Sequence, residues 1–366
     1  MISLLQFKKI DWVLFGSVLF LVSFGILELF AISQNNPSMS FVFSKQIIAL
    51  VLGVFSMFAI AFFDYRFFKT NSYAAIIFYV ASLFVLGLLF VIGSDIRGAA
   101  AWIKIGSFSI EPVEFVKIAL IILLAKYFSG RHVEMYKFSN IIVSGFYILL
   151  PIILILMQPD LGSAIVVMGI WVFMMLVSGM PKKYLAILFL LGAVVSAVAW
   201  TTVFKEYQKD RIMTFLNPYN DPQGAGYNVI QSMIAIGDGG IFGSGLGYGS
   251  QVQFGFLPEA HTDFMFASIG EEFGLIGIII VFILLSIIIF RIIKIAINAD
   301  NNFARLFCIG FVSWLFVQII INAGMNLGVM PVTGITFPFL SYGGSSLLSL
   351  FIALGLVQSI RVRSVN

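Results

Sequence analysis

Ten apolar runs divide the chain, beginning near Val13, Ile47, Tyr73, Val113, Ile141, Leu161, Tyr184, Phe264, Phe303 and Leu340. A helix rises 1.5 Å per residue, so about 20 apolar residues cross a ~30 Å hydrocarbon layer. Each run is read as one such crossing. The expected fold is an all-α integral membrane protein with ten transmembrane helices, a single polytopic domain over residues 1–366. A large extracytoplasmic loop, about 204–262, lies between spans 7 and 8. An even number of spans puts both termini on one side. Alternate connections on that side hold Lys8, Lys9, Arg66, Lys69, Lys126, Lys182, Lys183, Arg291, Arg305, Arg361 and Arg363, an excess over the opposite side. Basic residues accumulate on the cytoplasmic face, so both termini are expected there.

Four long polar or irregular segments fall on the opposite side: "IGSDIRGAAAWIKIGSFSIEP" at 92–112, "QPDLGSA" at 158–164, the stretch 204–262, and "MNLGVMPVTGITFPFLSYGGSS" at 325–346. Irregular backbone at membrane depth persists only inside protein or against a wet cavity. The pattern therefore predicts an outward-facing cavity with a shaped floor.

Composition agrees with the pattern: 60% of residues are hydrophobic and only 10% charged, with a mean hydropathy of +1.06, where soluble domains carry about 25% charge. The net charge of +4 contains no basic block, which excludes a nucleic-acid role. The lone Cys308 excludes an internal disulfide and a cysteine metal site. The first apolar run is full length without a small-residue cleavage pattern, so it reads as a span and not a cleaved leader. No repeat of 20–50 residues is visible.

The candidate chemistry sits in the polar segments. In "LPEAHTDFMFASIGEEFG", Glu259, His261 and Asp263 precede a span and Glu271 and Glu272 lie within it. Asp263 can serve as a helix cap, a chemical group, or both. Intramembrane carboxylates mark ion, proton or substrate sites, or else pair with a structural partner. In "EPVEFVK", Glu114 and Lys117 stand at i, i+3 on one face. They form either a self-satisfied ion pair or a buried cation site for a phosphate. Trp102, flanked by Arg97 and Lys104, reads as an interfacial anchor or a cavity residue. The glycine run "GDGGIFGSGLGYG" at 237–249 has no βαβ setting for a dinucleotide site. It reads instead as a tight loop offering N–H groups to an anion. Ser341, Ser345 and Ser346 surround a Gly-Gly turn at a helix start, where they cap the helix or help hold a phosphate.

Taken together, "QPDLGSA", "DPQGAGYNVIQSMIAIGDGGIFGSGLGYGSQ", "LPEAHTDFMFASIGEEFGLIG" and "NLGVMPVTGITFPFLSYGGSS" resemble the SEDS family of cell-wall polymerases over nearly the whole chain. "GAGYN" and "GMNLGVMPVTG" look more like its elongation branch than its division branch. The resemblance implies a peptidoglycan glycosyltransferase that polymerises lipid II with departure of undecaprenyl diphosphate. It implies Asp263 as catalytic base and Glu259, Glu114, Lys117 and Trp102 in the substrate cavity. Arg97, Lys104, Ser341 and Ser345 are further candidates for diphosphate contact. It also implies a divalent cation (Mg2+ or Mn2+), a class B penicillin-binding protein as transpeptidase partner, other elongation-complex membrane proteins, and location in the bacterial inner membrane. Ala101 stands where family members often carry Arg, and Glu111 where many carry Gln. The rival reading is a lipid II flippase or an ion-coupled transporter using Glu271 and Glu272.

Overall fold

A computed structural model describes residues 7–35, 39–96, 99–106, 108–131, 137–202, 206–224 and 226–364. The chain is a mostly helical membrane protein. Its helices are α1 (Trp12–Asn35), α2 (Ser40–Phe62), α3 (Arg66–Thr70), α4 (Ser72–Ile92), α5 (Pro112–Ser129), α6 (Phe138–Met157), α7 (Leu161–Val177), α8 (Lys182–Thr202), α9 (Glu206–Leu216), α10 (Tyr227–Gly239), α11 (Ser250–Gln253), α12 (Met265–Ile297), α13 (Asn302–Asn326) and α14 (Gly344–Arg363). Among the described residues, seven are long and apolar enough to cross a membrane: α1, α2, α4, α6, α12, α13 and α14. The other three expected spans coincide with α5, α7 and α8. Helix α7 has only 17 residues, and α5 carries Glu114, Lys117 and Lys126 within 18.

The all-α expectation has an exception. Residues 94–110 form a small antiparallel sheet in the order β1 (Ser94–Ile96), β2 (Ala99–Ile105), β3 (Phe108–Ile110). Strand β2 pairs with β3 through Ile103↔Ile110 and Ile105↔Phe108, and the chain turns at Gly106, whose φ of 62° suits glycine. Trp-Ile-Lys-Ile and Phe-Ser-Ile carry the β-branched and aromatic residues that strands favour. The sheet packs against α4, α5 and α14.

Helix ends follow local chemistry. Asp160 accepts the Ser163 N–H (2.9 Å) at the start of α7, Asn301 that of Ala304 (3.0 Å) at the start of α13, and Asp11 that of Leu14 (2.9 Å) at the start of α1. The packed centre of the bundle is α5, α13 and α14, whereas α4 turns most of its side chains outward. Helix α14 lies against α2, and most of its residues are buried. At its far end Gln358 donates to the Asp11 carbonyl (3.0 Å) and accepts the Asp11 N–H (2.9 Å). Asp11 also receives Arg291 from α12 at 2.5 Å. Arg363 closes the same end by donating to the carbonyls of Ala61 (3.0 Å) and Phe62 (2.6 Å).

Candidate functional site

One face of α13 carries a polar stripe through the core: Trp314, Gln318, Asn322 and Asn326, four residues apart and therefore in line. Trp314 Nε1 donates to Gln318 Oε1 (2.6 Å), and Gln318 Nε2 donates to the Thr336 carbonyl (2.9 Å). Asn322 Nδ2 donates to the carbonyls of Ile335 (2.6 Å) and Asp263 (3.0 Å). Asn326 Nδ2 donates to the same Asp263 carbonyl (3.0 Å), while its Oδ1 accepts the Ala267 N–H (3.1 Å). The stripe thus fastens two irregular segments together, the turn 257–264 and the Gly/Pro-rich stretch 327–343. Buried carbonyls left by irregular backbone need such partners.

This fastening sets Asp263. The residue is buried, and a Cβ built on Gly334 would lie 3.5 Å from Asp263 Oδ2, so the backbone of the second segment runs beside the carboxylate. Gly334 has φ 75°, a conformation that glycine adopts without cost. Helix α12 has Phe264 at its N-cap with no side-chain cap bond, so the helix-capping alternative for Asp263 is not realised. Glu259 stands at the outer side of the same turn with φ 54°, rare for a residue with a Cβ. Its carbonyl accepts the N–H groups of Thr262 (3.0 Å) and Phe264 (3.2 Å), and its carboxylate accepts the Thr262 hydroxyl (2.9 Å), 3.9 Å from His261 Nε2.

Facing this turn is the start of α5. Lys117 Nζ donates to Glu114 Oε1 at 2.8 Å, with both side chains almost wholly buried. The other Glu114 oxygen receives the Ser349 hydroxyl from α14 at 3.2 Å, and the ammonium stands 5.1 Å from the Trp314 ring centre. Glu111, just before α5, shares its surroundings with Glu114, Asp160, Asp263 and Lys117. Burial, helped by the three carboxylates, holds its carboxyl well above the usual range. A protonated Glu111 offers one donor and one acceptor, as the amide of glutamine does.

The serines divide. Ser341 accepts the Phe337 N–H (2.9 Å), and its carbonyl accepts from Gln46 (3.3 Å), so it holds a turn. Ser346 accepts from Thr336 (3.2 Å). Ser345 Oγ is buried and has no hydrogen-bond partner among the described residues. Trp102 is half-buried on β2 and Lys104 is exposed there. Arg97 lies outside the described residues.

Glu271 and Glu272 take the structural alternative, with amides of the glycine-rich segment and not a basic residue as partners, and the glycine run does not await an external anion. Helix α12 breaks at Gly274 (φ 64°, ψ −159°). The freed carbonyls of Glu271 and Glu272 accept the N–H groups of Ser244 (2.9 Å) and Gly245 (3.0 Å). The N–H groups of Leu275 and Ile276 donate to the carbonyls of Gly240 (2.9 Å) and Ile241 (3.2 Å). The Glu271 carboxylate accepts from the N–H groups of Gln251 (2.7 Å) and Val252 (3.1 Å), and Glu272 from Gly247 N–H (2.8 Å) and Gln253 Nε2 (2.7 Å). The anions that the loop binds are therefore its own. The approach excludes side chains, since a Cβ on Gly243 would lie 2.1 Å from the Glu272 carbonyl oxygen.

Among the described residues no three His, Cys, Asp or Glu side chains gather as metal ligands. Glu259 and Asp263, the carboxylates on the turn, are donors of the type a Mg2+-type ion takes. Such an ion keeps several waters and takes one or two carboxylates together with substrate phosphate.

The arrangement has relatives. Residues 6–366 match the FtsW/RodA/SpoVE family, described as cell cycle protein. The chain is 37% identical over 356 residues to stage V sporulation protein E of Bacillus subtilis, covering 96% of each. It is 38% identical over 282 residues to peptidoglycan glycosyltransferase MrdB of Escherichia coli, covering 77% of this chain and 76% of the relative. Its fold matches a solved chain from a peptidoglycan synthase complex that coordinates polymerization and crosslinking, with a TM-score of 0.80 and 32% identity over 96% of this chain and 97% of the other.

Proposed function

The chain belongs to the FtsW/RodA/SpoVE family of cell cycle proteins and is a peptidoglycan glycosyltransferase, and from that premise we propose that it polymerises lipid II into glycan strands during cell elongation. The substrate is a diphosphate-linked disaccharide on a lipid, so the reacting carbon must be met at a membrane face. The observation that carries the reading is a buried Asp263 carboxylate on a turn fastened by Asn322 and Asn326, with Glu111 at the start of α5 feeling the charges of both Asp263 and Lys117. A general base works from hydrogen-bond reach of the proton it takes. The GlcNAc 4-hydroxyl of one lipid II attacks the MurNAc anomeric carbon of another, and Asp263 receives the hydroxyl proton. The new C–O bond forms as the bond to undecaprenyl diphosphate breaks, with inversion.

In this reading Glu114, Lys117, Ser345, Trp102 and Lys104 contact the leaving diphosphate, with Lys117 as the buried charge and Glu114 holding it in place. Glu259 and Asp263 would hold a divalent cation (Mg2+ or Mn2+) that, when bound, offsets diphosphate charge. Helices α5, α7 and α8 complete ten spans in the inner membrane, with both termini cytoplasmic, a reading supported by the Lys/Arg bias. The partner is a class B penicillin-binding protein, a choice supported by the solved synthase complex of similar fold.

The test is polymerisation of lipid II by purified protein with partner and Mg2+, read as glycan ladders on a gel. Asp263→Asn keeps the carbonyl that Asn322 and Asn326 hold and removes the base. It should lower the rate by ~10²–10⁴-fold, the range for general base catalysis. A wild-type rate in Asp263→Asn rejects the base assignment. Movement of lipid II across vesicles without any polymer rejects the reaction.

A further inference from the structure

The segment 240–256 has an unusual pairing of surfaces. Its inner surface is polar and bonded to α12, with backbone groups paired across the Gly274 break and N–H groups donating to Glu271 and Glu272. Its outer surface is apolar and bare: Phe242 is 79% exposed, Tyr248 80% and Phe254 75%, joined by the half-exposed Ile241 and Phe256. Single exposed apolar residues are unremarkable on a soluble face, but a grouped set marks a site of contact.

The backbone pairing fixes where this surface lies along the membrane normal. Arg291, paired with Asp11, marks the far end of the apolar part of α12, and about 20 residues at 1.5 Å each, the length of a ~30 Å hydrocarbon layer, reach back from it to the neighbourhood of Gly274. Leu275, Ile276, Ile279, Ile280 and Ile283 turn outward along that stretch, as lipid-facing side chains do. Gly274 therefore marks one edge of the hydrocarbon. Ile241 is bonded to Ile276 at that edge, so the outer surface of 240–256 continues the lipid-facing surface of α12. Tyr prefers that depth, with its ring among acyl chains and its hydroxyl among headgroups, and the Phe rings beside it gain by leaving water for the acyl region.

We propose that residues 240–256 form an interfacial wedge whose Phe242, Tyr248 and Phe254 side chains insert into the phospholipid leaflet beside α12. The occupant of this surface is lipid at the headgroup–acyl boundary. The wedge leads directly into the turn of Asp263: the Leu257 N–H donates to the Gln251 carbonyl (2.8 Å), and Leu257 is buried. Insertion thereby fixes the height of that turn above the hydrocarbon. The inference rests on the membrane fold and not on the proposed reaction.

Spin labels measure it directly. In a Cys308→Ala background, which removes the buried native thiol, single cysteines replace Phe242, Phe254, the lipid-facing Ile283 and the exposed Asn298. The full chain sits in phospholipid nanodiscs, and power saturation compares oxygen, which concentrates in lipid, with a water-soluble nickel chelate. The expected oxygen-to-nickel ratio at 242 and 254 lies above that at 298 and below that at 283. A ratio at both positions equal to that at 298 overturns the wedge, because the surface then faces water. Exclusion of both reagents also overturns it, because protein then covers the surface. The label at 283 reports folding, since a misfolded chain loses its high ratio there.

Discussion

Lys117 and Glu114 give the sharpest test of how this interior is built. Both are almost fully buried, 2.8 Å apart, and the remaining Glu114 oxygen has only the Ser349 hydroxyl at 3.2 Å. Replacing Lys117 by Met removes the ammonium and keeps the stem volume against Trp314. Glu114 then stays in a low-dielectric interior with one neutral donor. Removing one partner of a buried pair costs about 3–5 kcal/mol, whereas replacing both by neutral groups of similar shape is often near neutral. Lys117→Met should therefore lose about 3 kcal/mol or more, and Glu114→Gln with Lys117→Met should recover most of it. The assay is reversible unfolding in mixed micelles for the four corners of a double-mutant cycle, with lipid II polymerisation measured on the same samples. A coupling energy of ~2 kcal/mol or more is the expected result for residues in direct contact. The stable double variant should still polymerise poorly, because the proposed diphosphate site loses its cation. A Lys117→Met protein within about 0.5 kcal/mol of wild type, the scale of an uncoupled surface change, would refute the electrostatic reasoning. Full activity in the double variant would reduce the pair to scaffolding.

Other consequences are equally concrete. Glu271→Gln should expose the amides of Gln251 and Val252 to hydrogen exchange, since charge-assisted bonds of about 1.5–3 kcal/mol are weakened; unchanged protection there would contradict the brace. Gly274→Ala should lower the unfolding temperature, because a Cβ would meet Gly243 N at 2.4 Å and the backbone sits in a region costing about 1–3 kcal/mol for other residues. Glu111→Gln should leave polymerisation near wild type at neutral pH. Folding raises the pKa of Glu111, so the Glu111 contribution to stability is fully present below the ordinary carboxylate range and is lost as pH rises through the folded value. The Gln variant should lack that component of the decline.

Run length and composition made the helices legible: all ten expected starts fall at or near a helix, although α5, α7 and α8 are not among the seven that, over the described residues, are long and apolar enough to cross a membrane. The sheet at 94–110 was not legible, because its Gly, Ala and Ser residues carry little periodicity. Asp263, Glu114 and Lys117 were visible as charges in apolar surroundings. Asn322 and Asn326 went unread although their signal was present, a four-residue polar spacing with Trp314 and Gln318 inside an apolar helix. The role of Glu271 and Glu272 depends on a positive φ at Gly274 and on a loop returning from some thirty residues upstream. No local pattern encodes that meeting. A glycine run beside a pair of carboxylates is ambiguous until the backbone shows which meets which.

The burial of α14 has a consequence for how the protein is made. Chains emerge from the ribosome N-terminus first, and early segments begin folding before later ones exist. Here α14, made long after α1 and α2, is among the most enclosed helices, and its Gln358 and Arg363 close bonds to Asp11, Ala61 and Phe62 on the early part of the chain. Helices α1 and α2 must therefore wait in the bilayer with an open seam until α14 joins them. Glu28 lacks Ser268 until α12 is made, and Gln46 and Asp11 lack Ser341 and Gln358 for longer still. An insertase or chaperone that shelters polar residues in half-built bundles would matter more for this chain than for one that closes in sequence order, and loss of α14 would leave that seam open.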